Sequence, residues 1–198
     1  MRALSIFASV CILFVIFFAG YAEAQELDPA KPPAMNLTNR ISIGYNKQLN
    51  FNVFGGFDPE LANPFFSVDS LSCKYWATDR IGVEVIFGYF TAKNDEYGGW
   101  AIDTGAKFHY TIIPEEYMNL YAGAGIGIIP VHIDYGDTEE NETGFQVMGF
   151  GGVEFFLYKL PNLAFDIEMG LKYIDIDEYA QFSTYGGAFS NFGIRYYF

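Results

Sequence analysis

Ten charged residues stand at alternating positions in stretches that are otherwise apolar or small: Arg40, Lys74, Lys107, Lys172 and Arg195 against Glu84, Asp103, Glu154, Asp166 and Glu168. Side chains of an extended strand alternate between its two faces, so this spacing gathers the charges on one face of each strand. A charge withdrawn from water is costly unless it is paired and hydrogen-bonded. Five residues of each sign on facing strands permit such pairing, and a paired network fills and locks an interior. A proton or ion relay through the same residues is the functional alternative. The spacing leaves open which acid meets which base.

Other chemistry has few carriers. His109 shares the charged face and reads as a hydrogen-bonded interior residue. His132 lies beside Asp134 and Tyr135, with Ser183 the conceivable hydroxyl partner for acid–base work. Apart from Cys11 in the N-terminal apolar run, Cys73 is the sole thiol, which excludes an internal disulfide and leaves nothing to support a cysteine metal site. Gly123, Gly125 and Gly127 have the spacing of a nucleotide-binding turn but no helix follows them, so they read as packing. No cofactor is implied. A second set of acids, Asp58, Glu60, Asp95, Glu96, Asp134, Asp137, Glu139, Glu140, Glu142, Asp175, Asp177 and Glu178, clusters between the alternating stretches. Carboxylates are hard ligands for divalent cations, although no EF-hand spacing is present.

The elements that must position these residues are strands. Alternation predicts strands over about 40–53, 65–77, 81–93, 100–113, 118–130, 144–158, 163–174 and 186–198. Strand three shows the pattern plainly: Ile81, Val83, Val85, Phe87 and Tyr89 oppose Gly82, Glu84, Ile86 and Gly88. Pro130 marks a bulge or the exit of strand five from pairing. Short turns at 78–80, 114–117 and 159–162 alternate with longer loops at 54–63, 94–99, 134–143 and 175–185. An even number of strands with short and long connections at opposite ends is the plan of a membrane barrel.

Alternation alone does not say which face is inside. The polar face carries Gly44, Gly82, Gly88, Gly105, Gly123, Gly125, Gly127, Gly152, Gly170 and Gly193. A solvated face has no reason to shed side chains, whereas the interior of an eight-stranded barrel is only wide enough for side chains to fill. The polar face is therefore expected inside and the apolar face against lipid. Aromatic residues near both strand ends of the apolar face read as interfacial girdles, and Trp100 and Tyr110 stand about one membrane crossing apart. The expected fold is all-β, an eight-stranded antiparallel up-and-down transmembrane barrel.

The chain has 198 residues, 51% hydrophobic and 19% aromatic, with a net charge of −13 that argues against nucleic acid. The apolar run Ala3 to Ala22 follows Arg2 and precedes Ala22-Glu23-Ala24, so 1–24 reads as a cleaved signal peptide. Residues 25–38, with Pro29, Pro32 and Pro33, read as an extended lead-in with no core of its own, and 39–198 as the barrel.

The final residues Asn191, Gly193, Tyr196 and Phe198 resemble the polar-x-Gly-x-x-aromatic-x-aromatic signal that ends bacterial outer-membrane β-barrels. With the strand pattern, the mature chain resembles the small OmpA/OmpX-like barrels. That resemblance implies the bacterial outer membrane, recognition by the barrel-assembly machinery and an ion-pair plug in the lumen. Outer-membrane lipids and lipopolysaccharide are the expected partners; for the acidic outer loops, carboxylate chemistry allows divalent cations bridged to lipopolysaccharide phosphates, with simple solvation and repulsion of anions as the alternative. The expected role is structural or surface-interacting and non-enzymatic. The alternatives are a narrow channel or carrier for small molecules and a lipid A-modifying enzyme; the His-x-Ser pattern of the barrel deacylases is missing from this sequence.

Overall fold

A computed structural model describes residues 35–49, 69–93, 98–134, 139–176, 179–185 and 190–198. The expected signal peptide, most of the lead-in and the loop at 54–63 lie outside the described residues. The strands are β1 (Ile41–Leu49), β2 (Ser70–Trp76), β3 (Ile81–Lys93), β4 (Gly98–Pro114), β5 (Met118–Asp134), β6 (Glu139–Leu157), β7 (Leu160–Ile176), β8 (Tyr179–Tyr185) and β9 (Ser190–Tyr197).

Each strand pairs antiparallel with its sequence neighbour from β1 to β7, and the sheet closes where β9 meets β1, with Ser42 opposite Tyr197 and Leu49 opposite Ser190. Nine segments occupy eight positions. β8 pairs with the Gly170–Ile176 half of β7, and β9 with its Leu163–Glu168 half, so the two share the eighth position. The result is a closed eight-stranded antiparallel barrel.

Two predicted loops are shorter than expected. Tyr179–Tyr185 lies in β8 rather than in a loop, and Glu139–Thr143 extends β6, pairing with β5 up to Asp134 opposite Glu139. Backbone ladders are indifferent to side-chain charge, so pairing continues past the apolar belt where acidic residues had marked a loop. At Pro130 no bulge forms. β5 keeps its ladder to β6 there, with Pro130 opposite Thr143, while the β4–β5 ladder skips positions 129 and 130 at constant register. Proline has no N–H to donate, which accounts for the interrupted side. The one shift in that ladder falls between Thr111 and Ile113.

The two faces are inverted relative to a water-soluble protein. Ile126 (66% exposed), Leu71 (60%) and Val85 (56%) project outward, while Lys74, Glu84 and Glu154 are fully buried inside. An outward belt of this kind forfeits apolar burial, about 25 cal/mol per Å², unless lipid covers it. The inward glycines make room for large neighbours. A side chain on Gly82 would strike the Trp76 ring, one on Gly123 the Phe150 ring, and one on Gly152 the Tyr121 ring. Small and large residues thus interlock across adjacent strands, as a narrow barrel requires.

From the short-turn end to the long-loop end the lumen is filled in order. An apolar cluster of Leu37, Trp76, Phe156, Ala164 and Tyr197 comes first, and a charged layer packed against Tyr121, Met148 and Phe150 follows. Gln146 with Asp103 lies above that layer, and Ala101, Ile129, Val131, Ile174 and Ile176 form the last cluster.

The belt makes a depth-dependent prediction. Val85→Arg, near mid-belt opposite Cys73 and Ala106, is expected to destabilise the barrel by about 2–4 kcal/mol. Leu157→Arg, beside the β6–β7 turn, should cost about 0–1 kcal/mol. Urea titration of both variants refolded into phosphatidylcholine vesicles measures the difference.

Candidate functional site

The charged layer is built on cross-strand neighbours. The registers place Lys74 of β2 beside Glu84 of β3, and Glu84 beside Lys107 of β4. Across the lumen, Glu154 of β6 lies beside Asp166 of β7, and Asp166 beside Gly193 of β9. Because all of these positions face inward in a narrow barrel, long cationic side chains from one wall reach carboxylates on the other.

Two residues organise the layer. Arg195 donates from Nη2 to Glu84 Oε1 at 2.9 Å and from Nε to Asp166 Oδ2 at 3.0 Å, with Glu154 Oε1 3.4 Å from the same Nε and Ser42 Oγ 3.4 Å from Nη1. Glu84 also accepts from Asn46 Nδ2 at 3.1 Å, lies 3.0 Å from His109 Nε2, and pairs with Lys107 at 3.7 Å. Lys107 reaches Glu168 at 2.8 Å, and Glu168 accepts further bonds from the Tyr121 hydroxyl at 3.0 Å and Asn191 Nδ2 at 3.3 Å. Glu154 accepts the Tyr197 hydroxyl at 2.7 Å and pairs with Lys74 at 3.5 Å, and Tyr197 in turn accepts from Trp76 Nε1 at 3.0 Å. Aromatic faces share in the neutralisation: Lys74 lies 5.0 Å from the Tyr121 ring centre and Lys107 5.3 Å from that of Phe150.

Of the ten charged residues singled out in the sequence, Lys74, Glu84, Lys107, Glu154, Asp166, Glu168 and Arg195 meet in this layer. Asp103 and Lys172 form a separate set nearer the long-loop end, where Asp103 accepts from Gln146 and the Lys172 ammonium acts on it electrostatically. Arg40 stands outside both sets. It is half-buried at the short-turn rim, donates to Asn162 Oδ1 at 2.6 Å and lies over the Tyr197 ring. Within the C-terminal motif, Asn191 and Gly193 face the lumen, Gly193 leaving room for the Asp166 carboxylate, while the Tyr196 and Phe198 rings meet on the outer face at 5.3 Å.

The layer has members that charge alone does not mark: Asn46, Ser42, Trp76, His109, Tyr121 and Tyr197. Their shared inward parity with the charges was the available signal. Phe150 and Met148 also point inward, beside Gly123 and Gly125. Tyr158, which has the strand parity of Gln146, Gly152 and Glu154, lies instead in the β6–β7 turn and is 74% exposed.

Chemically the layer is occupied. Glu84, His109 and Glu168 are close enough to hold a metal ion, but the Lys107 ammonium pairs with both carboxylates and already serves as the cation. His132 is at the long-loop rim, stacked on Trp100 at 5.8 Å with Nδ1 2.8 Å from Asn141 Oδ1. The Ser183 side chain lies outside the described residues. Removing one partner of a buried network strands the others. Arg195→Met is therefore expected to lower unfolding stability by about 3–5 kcal/mol, and Arg40→Met at the rim by about 0–1 kcal/mol, read by urea titration in detergent micelles.

No family model matches the chain, and no curated protein matches it in sequence. Among solved structures it is similar to the N-terminal β-barrel domain of Pseudomonas aeruginosa OprF, with 13% identity over 83% of this chain and 100% of that one at a TM-score of 0.51. Lower-scoring matches are Ail, the attachment invasion locus protein of Yersinia pestis (20% identity, 81% of this chain and 99% of that one, TM-score 0.48), and Neisserial surface protein A (15%, 80% and 95%, 0.45). Closure, strand count, inverted faces and the OprF likeness together give this chain the OmpA/OmpX-like fold, the eight-stranded barrel of the outer-membrane type.

Proposed function

We propose that the protein is a non-enzymatic outer-membrane barrel whose lumen is a side-chain plug, with the short-turn end in the periplasm and the acidic long-loop end as its interaction surface. One observation carries the plug. Lys74, Glu84, Glu154, Asp166 and Glu168 are fully buried between apolar clusters at both ends of the lumen. Ions crossing such a barrel would have to break bonds among groups that have no water to replace them, a desolvation cost of several kcal/mol per ion. The role of the layer is then mechanical: it ties opposite walls together and holds the barrel's cross-section. Planar bilayers containing the purified protein are expected to show no stepwise conductance above background; discrete, reproducible steps would overturn the plug and favour the channel.

The interaction surface follows from charge. Glu139 and Glu140 are exposed at the start of β6, and Asp134 and Glu142 lie beside them in the β5–β6 ladder. These oxygens suit Ca²⁺ or Mg²⁺ bridged to lipopolysaccharide phosphates. Calorimetric titration of calcium into the protein in lipopolysaccharide-containing nanodiscs should show binding that is weakened by combined Glu139→Gln, Glu140→Gln and Glu142→Gln. Equal binding by the triple variant would remove this reading and leave the plug untouched.

A further inference from the structure

Leu37 precedes the first strand, in a segment expected to have no core, yet it is only 1% exposed. It packs against Trp76 of β2, Phe156 of β6, Ala164 of β7 and Tyr197 of β9, with Met35 partly buried beside it. The local chain explains how it gets there. The Thr38 N–H donates to Asn36 Oδ1 at 2.9 Å and the Arg40 N–H to the Leu37 carbonyl at 2.9 Å. Asn39 takes a left-handed conformation, φ 62°, which asparagine tolerates better than most residues. The resulting tight turn presents Leu37 to the short-turn mouth of the barrel.

The segment is fastened at several points around that mouth. Met35 N–H reaches the Glu115 carbonyl in the β4–β5 turn at 3.2 Å, Asn39 N–H reaches the Trp76 carbonyl at 2.8 Å, and the Tyr75 hydroxyl donates to Asn39 Oδ1 at 3.0 Å. Arg40 extends to Asn162 near the start of β7. None of these bonds belongs to the closing ladders, since β1 begins at Ile41, paired with Tyr75, and Ser42 already faces Tyr197.

We propose that residues 35–40 are a releasable strap that seals the short-turn mouth and opens while the barrel stays closed. Its hold rests on one fully buried side chain and a few bonds, the profile of a segment that opens locally. Beneath Leu37, Trp76 Nε1 donates to the Tyr197 hydroxyl, which donates to Glu154. Thr111 Oγ1, Asn119 Nδ2 and Glu154 Oε2 are buried at this end without a hydrogen-bond partner in the protein, and such groups favour any state that admits water to them. Opening the strap delivers water to the base of the charged layer from one side only, while the apolar cluster of Ala101, Ile129, Val131, Ile174 and Ile176 keeps the other end shut. This inference stands on the lumen geometry and not on the reading of the loops.

The chain holds two tryptophans, so Trp100→Phe leaves Trp76 as the sole tryptophan reporter. In phosphatidylcholine vesicles, acrylamide quenching of Trp76 should be weak in that background and should rise several-fold on adding Leu37→Gly, with the circular dichroism of the barrel unchanged. Unchanged quenching in a folded barrel, or unfolding of the barrel by Leu37→Gly, overturns the proposal. Hydrogen exchange on the unsubstituted protein tests it independently. The amides of Met35, Asn39 and Arg40 should exchange at least about tenfold faster than those of the β1–β9 ladder, and exchange at the ladder's rate would mean that the strap is not released separately.

Discussion

A backbone N–H or C=O left unpaired in hydrocarbon costs several kcal/mol, and this constraint underlies every other feature of the barrel. It forces β1 to meet β9, and the ladder from Ser42 opposite Tyr197 to Leu49 opposite Ser190 leaves no edge between them. Closure at eight positions then sets a narrow interior, and a narrow interior must be filled by its own side chains. The interlocking of Gly82 with Trp76, Gly123 with Phe150 and Gly152 with Tyr121 is that filling seen at single residues. The shared position of β8 and β9 on β7 belongs to the same constraint, because β7 needs a partner along its whole length.

Inside, the dominant energy is electrostatic and conditional. Arg195 and Glu84 stabilise the barrel only as part of a set in which Asp166, Glu154, Lys107 and His109 are also in place. A buried network of this kind contributes little against an apolar core of equal volume, but it penalises a wrong arrangement heavily. That asymmetry suits a barrel whose outer face contacts fluid lipid and supplies little registry of its own. A strand displaced by one residue would turn Lys74 or Glu154 toward hydrocarbon and a neighbour such as Tyr75 or Val153 into the charged layer.

Much of the fold is legible in the chain because strand alternation is a local property. Ile81 to Tyr89 announce an outward face without reference to any other segment, and the inward glycines tell which face is crowded. Loop limits were less legible: acidic residues at 139–143 and near 179–185 read as loop, although both stretches are paired. Charge reports where lipid stops, whereas pairing depends on what the neighbouring strand offers. Within the site, seven of the ten charged residues meet, while Arg40 is drawn to Asn162 and Asp103 to Gln146. The aromatic members Trp76, Tyr121 and Tyr197 share the inward parity of the charges, but parity does not tell that the two hydroxyls meet Glu168 and Glu154 or that the indole N–H meets Tyr197.

By itself the sequence determined the strand class, the two faces and the balance of buried charge, since each depends on residue type and a period of two. Only the tertiary structure decided which carboxylate meets which cation, how β8 and β9 divide one position, and that Leu37 enters the mouth of the lumen. Those outcomes depend on groups as far apart in the chain as Glu84 and Arg195, or Leu37 and Tyr197, whose meeting is set by closure and register. No local pattern encodes a distance across the barrel.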